Sequence, residues 1–178
     1  MNLREEEKNE LRQYGFSEEV LQQLYELTDV ADYNRHMDAR RRFVESGEAA
    51  LPVIHKLLNS KQRVIRKQAV KVVQLIAHQS SIGELLAMLE DDVSGIRWIA
   101  AEALIKIGRP SLRPLLKALV RRADSYNFRL GAHHVLAKLV HKDDPEELRH
   151  LLRITRSGGD TPETLPVNAE RALKQTGF

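Results

Sequence analysis

The chain has 178 residues, 42% of them hydrophobic, 30% charged and only 5% aromatic, with no cysteine and a formal net charge of +3. That length suits one domain, 1–178, with a continuous core, and a profile rich in Leu, Ala, Glu, Lys and Arg is that of helix formers, so the expected class is all-α. Disulfides and thiolate metal sites are excluded, MNLREEEKNE has no apolar leader segment, and no run approaches the ~20 apolar residues of a membrane span, which together suit a soluble protein of the reducing cytoplasm with no membrane partner. The charge is uneven: the net values are −6 over 1–34, +7 over 35–71, −4 over 72–104, +8 over 105–142 and −2 over 143–178. Two basic zones separated by an acidic one argue against a uniform nucleic-acid stripe.

In chain order, residues 3–13 suit a first helix ending near Gly15. Ser17 is a good N-cap for the next, with Glu18 and Glu19 in its first turn where the helix dipole favours negative charge, and Val20, Leu21, Leu24 and Leu27 turned inward. A helix over about 33–46 ends at Gly47, and another starts at Glu48 with Leu51, Ile54, Leu57 and Leu58 inward. The clearest unit is 93–120. There Ile96, Ala100, Ala103, Leu104 and Ile107 form one apolar helical stripe, Gly108 ends the helix, and Leu112, Leu115, Leu116 and Leu119 form a second stripe facing the first.

That unit repeats. IRKQAVKVVQLIA from Ile65 aligns without a gap on IRWIAAEALIKIG from Ile96 and on FRLGAHHVLAKLV from Phe128, at spacings of 31 and 32 residues. The frame slides back to RHMDARRRFVESG from Arg35 and forward to NAERALKQTG, with Ala169, Ala172 and Leu173 on Ala100, Ala103 and Leu104. Five second helices result, preceded by first helices of about 17–28, 48–59, 81–90, 110–121 and 145–156. A lone hairpin cannot bury its stripe, so such units stack. Small residues at Ala69, Ala100, Ala132 and Ala169 permit close helix approach. Residues 1–32 supply an extension and the first helix of the first hairpin, and 157–178 a long, mobile Gly/Pro-rich loop with an atypical capping helix.

The period, the placement of Arg after the turn and the A-x-x-A-L-x-x-[IL]-G ending at Ala100–Gly108 resemble HEAT repeats, specifically the short bacterial HEAT-like repeats of the phycobilisome-lyase type. The resemblance covers about 33–177. It implies a right-handed α-α superhelix, a HEAT-like solenoid of about five hairpins plus an N-terminal helix, that serves as a scaffold binding a protein partner through its concave groove. It also implies a ladder in which an Asp in the turn meets an Arg six residues on. Asp91 and Arg97 have that spacing, whereas Arg66 and Arg129 have Ser60 and Ala123 at the Asp position, so the expected ladder is incomplete.

Second helices line the groove of such a solenoid, so aligned outward positions become columns. One column is Met37, Lys67, Trp98, Leu130 and Val167, largely apolar; the other is Arg41, Lys71, Glu102, His134 and Arg171, largely basic. The candidate partner-binding residues are therefore Met37, Arg41, Lys67, Lys71, Trp98, Glu102, Leu130, His134 and Arg171. Trp98, the single tryptophan, is either a binding anchor or packed on the adjacent repeat beside Met37, Lys67 or Leu130. Arg40, Arg41 and Arg42 suit a solvated helix face, which with Lys67 and Lys71 makes a basic patch.

No catalytic constellation emerges, and neither a cofactor nor a metal is expected. His133 and His134 are adjacent and point about 100° apart on a helix, too divergent to clasp one ion. The di-iron HEAT-like hydroxylases use His-Glu pairs, and none of the seven histidines here precedes Glu. Of what HEAT-like DNA glycosylases for alkylated bases use, this chain has a basic groove and Trp98, but its second columns contain no inward-facing Asp other than Asp38 as a candidate, and few aromatic residues for stacking bases. The alternatives to a protein-binding scaffold are nucleic-acid or ribosome binding through the basic zones, or a subunit of a bilin-lyase-like enzyme.

Overall fold

The structure, a computed structural model, describes residues 5–157 and 163–176. Most of the connection over 157–166, expected to be mobile, lies outside the described residues. The helices are α1 (Glu5–Gln13), α2 (Glu18–Thr28), α3 (Tyr33–Glu45), α4 (Leu51–Leu57), α5 (Arg63–Ile76), α6 (Ile82–Met88), α7 (Ser94–Ile107), α8 (Leu112–Arg121), α9 (Tyr126–Leu139), α10 (Glu146–Ser157) and α11 (Leu165–Gln175). Among the described residues there is no strand, and α2 to α11 pair as five consecutive hairpins, an all-α repeat architecture of the solenoid class.

Local chemistry sets the boundaries. The Ser17 hydroxyl accepts from the Val20 amide at 3.4 Å, the Asp32 carboxylate from the Arg35 amide at 3.1 Å and the Ser125 hydroxyl from the Phe128 amide at 3.3 Å, so α2, α3 and α9 begin where an oxygen satisfies a free amide. Three second helices end on a residue with positive φ: Gly47 at 56°, Ala77 at 53° and Gly108 at 84°. These occupy one position of the repeat, and at Ala77 a side chain stands where glycine is the unstrained choice.

In three of the five repeats an arginine clamps the turn before its own helix. Arg66 donates to the Ser60 carbonyl at 3.0 Å, Arg97 to the Asp91 carbonyl at 2.7 Å and Arg129 to the Ala123 carbonyl at 2.6 Å. These bonds are not the expected Asp–Arg ladder: each runs to a main-chain carbonyl of the arginine's own turn, which every residue type supplies, so the clamp does not require an Asp there. The Asp91 carboxylate meanwhile accepts from the Val93 amide at 2.8 Å, shaping the turn.

Contacts divide the chain into two compact units, Met1–Ile76 and Ala77–Phe178. In the first, α2 packs on α3, α4 on α5, and both α2 and α3 meet α5. Leu24, Leu27, Ala39, Ile54, Leu57 and Ile65 are fully buried there, each large side chain contributing about 1.5–3 kcal/mol. The extension is tied in as well: Leu11 is buried, and the Glu10 carboxylate accepts from the Lys61 amide at 2.9 Å.

A polar chain crosses this core. The Leu27 carbonyl lies 2.5 Å from His36 Nδ1, and a carbonyl can only accept, so Nδ1 carries the hydrogen. Nε2 then accepts from Arg40 Nη2, which also donates to Gln68 Oε1 at 2.9 Å. The chain links α2, α3 and α5, and it turns Arg40 inward rather than onto the solvated face expected for it. Burial holds the His36 pKa below its ordinary 6.5; the Leu27 hydrogen bond opposes this, Arg40 and Lys71 add to it, and Asp29 opposes.

In the second unit the layers differ from a simple register. α6 packs on α7, α7 on α9 and α6 on α8, but α11 packs on α8 while α10 packs on α9. The last hairpin is therefore reversed, with α6, α8 and α11 in one layer and α7, α9 and α10 in the other. Arg109 braces this end, reaching both oxygens of Asp144 at 2.8 and 3.2 Å, and Asp144 also accepts from the His141 amide at 2.7 Å. The Arg109 hydrogen bonds, as the leading cause, hold the Asp144 carboxyl below its ordinary range.

Ala77→Gly should raise stability by up to about 1 kcal/mol, since relief of the left-handed strain exceeds the added freedom of the unfolded chain; urea denaturation measures it, and a loss would mean the turn is unstrained. For His36, the unfolded chain takes up a proton at higher pH than the folded chain, so stability is complete above about pH 6.5 and falls as pH drops below that value. Melting temperature should be lower at pH 5.5 than at pH 7.5, and the difference should shrink in His36→Gln; an undiminished difference places the titration elsewhere.

Candidate partner-binding groove

Trp98 and Glu102 lie one turn apart on α7, and Leu130 and His134 one turn apart on α9. The packing of α7 on α9 sets these pairs side by side. The Trp98 and His134 rings stack with centroids 4.4 Å apart at 35°, and His134 Nε2 donates to Glu102 Oε1 at 2.6 Å. A carboxylate accepts only, so the hydrogen sits on Nε2, and Glu102 fixes the face that His134 offers to the indole.

Beside this stack runs a groove of about 370 Å³ whose apolar lining is Trp98, Leu130, Ala101, Gly131 and Ala137. Trp98 is 58% exposed and Leu130 55%. Trp98 is thus exposed and also touches the adjacent repeat through His134. A Cβ at Gly131 would stand 2.9 Å from Leu89 Cδ2, so the glycine lets α9 seat against Leu89 without displacing that side chain. At the rim are Ser94, Arg97, Asn127 and His133. Arg97 is anchored by the Asp91 carbonyl, and His133 Nδ1 bonds the Thr155 hydroxyl at 3.1 Å. The lining contains no carboxylate.

The other column residues lie apart from this groove. Met37, Arg41, Lys67 and Lys71 belong to α3 and α5 of the first unit. Arg41 is paired with Asp38 at 2.8 Å and with Glu45 at 3.9 Å, and Arg42 with Glu26, so two cations of the arginine run are partly neutralised and the third is turned inward. Lys71, with a pKa lowered first by burial and then by Arg40 and Lys67, sits against the polar chain of His36. Arg171 is a correction. Its helix packs on α8 and not in line with α9, so Arg171 and Val167 do not continue the columns; Arg171 instead lines a separate groove with Glu146, Glu147, His150 and Asn168. Gly131, Ala101 and Arg97 were missed as groove residues. The available signal was Gly131, a glycine in a helix interior where α7 carries Ile99. Among the described residues no three His, Asp or Glu side chains converge as a metal site would require, and no helix is long and apolar enough to cross a membrane.

Because Glu102 acts on Trp98 through His134, Glu102→Ala should cost less than about 1 kcal/mol of stability, as expected for a half-exposed pair, yet loosen the indole. The anisotropy of the single tryptophan's fluorescence measures this, and an unchanged value would show that His134 holds its place without Glu102.

A search of curated proteins finds no match. Residues 50–137, which run from the turn before α4 through most of α9 and include the whole groove, match the family model for HEAT repeats. With the 31- and 32-residue spacing, the paired helices and the arginine-clamped turns all in agreement, the chain is a HEAT-repeat protein.

Proposed function

We propose that the protein is a non-catalytic scaffold that binds a protein partner, and that the partner docks in the groove between α7 and α9. The observation that carries this is Trp98: a large aromatic side chain, 58% exposed, held in one orientation by His134 and Glu102 beside an unfilled apolar trough. A pre-ordered aromatic next to a pocket is the usual form of an interface hot spot, since little side-chain entropy remains to be lost on binding. HEAT repeats commonly serve as protein-interaction scaffolds, which agrees in kind. The absence of carboxylates from the lining and the presence of Arg97, His133 and His134 favour a segment that inserts an apolar side chain and presents an acidic one to the rim. The columns' cations support nucleic-acid binding less well, because Arg41 already has two carboxylate partners and Arg40 is spent inside the first unit.

Trp98→Ala combined with Leu130→Ala should leave the melting temperature within a few degrees of wild type, both side chains being exposed, and weaken the partner by about thirtyfold or more. The partner is found by comparing captures from host lysate on the two proteins and is then titrated in purified form. On binding, the emission of Trp98 should shift to shorter wavelength as water leaves the indole. Undiminished affinity of the double variant would remove the groove from the interface.

A further inference from the structure

A cluster of cations in the first unit lacks the carboxylates that usually accompany one. Lys67 and Lys71 stand one turn apart on α5, and Arg40 of α3 reaches the same helix, where its Nη2 donates to Gln68 Oε1 at 2.9 Å. Lys67 is exposed, while Arg40 and Lys71 are half-buried. The Arg40 guanidinium has five N–H groups to satisfy. Nη2 meets His36 Nε2 and Gln68 Oε1, Nη1 meets only the Met37 thioether at 3.6 Å, and the buried Nε meets no acceptor. A thioether accepts weakly, so this guanidinium is fixed between two helices yet undersupplied with oxygen.

The neighbouring carboxylates do not cancel this charge. Arg40, Lys67 and Lys71 have no carboxylate partner among the described residues. On α3, Asp38 and Glu45 lie 2.8 and 3.9 Å from Arg41, and the cap residue Asp32 is 3.4 Å from Arg35. On α2, Glu26 is taken by Arg42; just beyond it, Asp29 is the weakest of the charges acting on His36 and accepts from the Ala31 amide at 3.3 Å. Burial lowers the Arg40 pKa, against the influence of the Tyr33 phenol. Burial first, then Arg40 and Lys67, lower that of Lys71. Folding therefore holds three cations together against their mutual repulsion.

We propose that Arg40, Lys67 and Lys71 form a binding site for a phosphate monoester group in its dianionic form. Three cations gathered on adjoining turns of two packed helices suit a compact anion with two charges and several acceptor oxygens, whereas a lone carboxylate neutralises only one of the three. Arg40 Nη1, tied only to a thioether, supplies a fixed planar donor, and the two ammonium groups, on flexible stems one turn apart, close on the remaining oxygens. A phosphodiester strand fits less well, because its single charges are spaced along a line and the inward turn of Arg40 takes it out of any line with Arg41 and Arg42. The site shares no residue with the Trp98 groove.

The test is isothermal titration calorimetry of the full chain with inorganic phosphate and with O-phosphoserine at pH 7.5 and low ionic strength, about 50 mM. Both should bind and both should raise the melting temperature. Acetate and dimethyl phosphate, with one charge each, should bind at least about tenfold more weakly. Lys67→Gln and Lys71→Gln should each weaken both phosphate ligands about fivefold or more, as the loss of one charge-assisted hydrogen bond predicts. Without ligand, Lys71→Gln should melt no lower than wild type, because it removes a repelled cation. Arg35→Gln, on the same helix as Arg40 but paired with Asp32, should bind like wild type. Tighter binding of phosphoserine identifies a phosphorylated side chain as the source, and tighter binding of inorganic phosphate the free ion; either order upholds the site. The assignment is overturned if neither ligand binds at about 10 mM, if acetate or dimethyl phosphate binds as tightly, if both lysine variants bind as well as wild type, or if Arg35→Gln loses as much affinity as they do.

Discussion

A helical hairpin buries one apolar stripe between its own two helices and leaves another flank bare, and that bare flank governs the molecule. Ile96, Ala100, Ala103 and Leu104 of α7 and Leu112, Leu115, Leu116 and Leu119 of α8 are fully buried because each helix packs both on its own hairpin partner and on a neighbouring hairpin: α7 on α6 and α9, α8 on α9, α6 and α11. Stacking in turn requires that each hairpin present its flank at a fixed angle. The arginine bonds to the carbonyls of Ser60, Asp91 and Ala123 meet that need, since a charged donor on a main-chain oxygen locks the turn from which the second helix departs. Apolar stripe, turn and clamp together occupy most of each repeat. The positions left over point outward, and the chemistry available for recognition resides there.

The sequence disclosed whatever depends on periodicity. The five hairpins, the cap at Ser17 and the helix ends at Gly47 and Gly108 all follow from which residues recur at helical spacing and which do not. It concealed whatever depends on the choice between two partners of equal propensity. Ala169, Ala172 and Leu173 reproduce the stripe of α7, but an apolar stripe does not specify which neighbour it will cover, and α11 covers α8. Arg40 has the same composition-level meaning as Arg41 and Arg42; only the proximity of His36 and Gln68 across two other helices turns it inward. The clamp of each arginine on its own turn was not legible, because its acceptor is main chain and leaves no trace in the sequence. In the groove, Trp98, Leu130, Glu102 and His134 were legible as column members. The close seating of α9 against Leu89 was not, because it involves an atom that Gly131 lacks.

The second unit presents two faces of unlike character on opposite layers, an apolar trough with an ordered aromatic on α7 and α9 and the exposed Arg113, Lys117 and Arg121 on α8. The α8–α9 hairpin contributes to both. Between the two faces lie Leu112, Leu115, Leu116, Phe128, Ala132 and Val135, all fully buried. Such an interior is packed at the density of an organic crystal and has no alternative arrangement of similar energy on offer. Coupling between distant sites needs an element with two discrete states whose balance both ligands bias. A close-packed hairpin core with clamped turns is the opposite of such an element. An occupant of the Trp98 groove should therefore leave the packing of the α8 face unchanged, because the interior between the two faces has no second arrangement to pass a signal through.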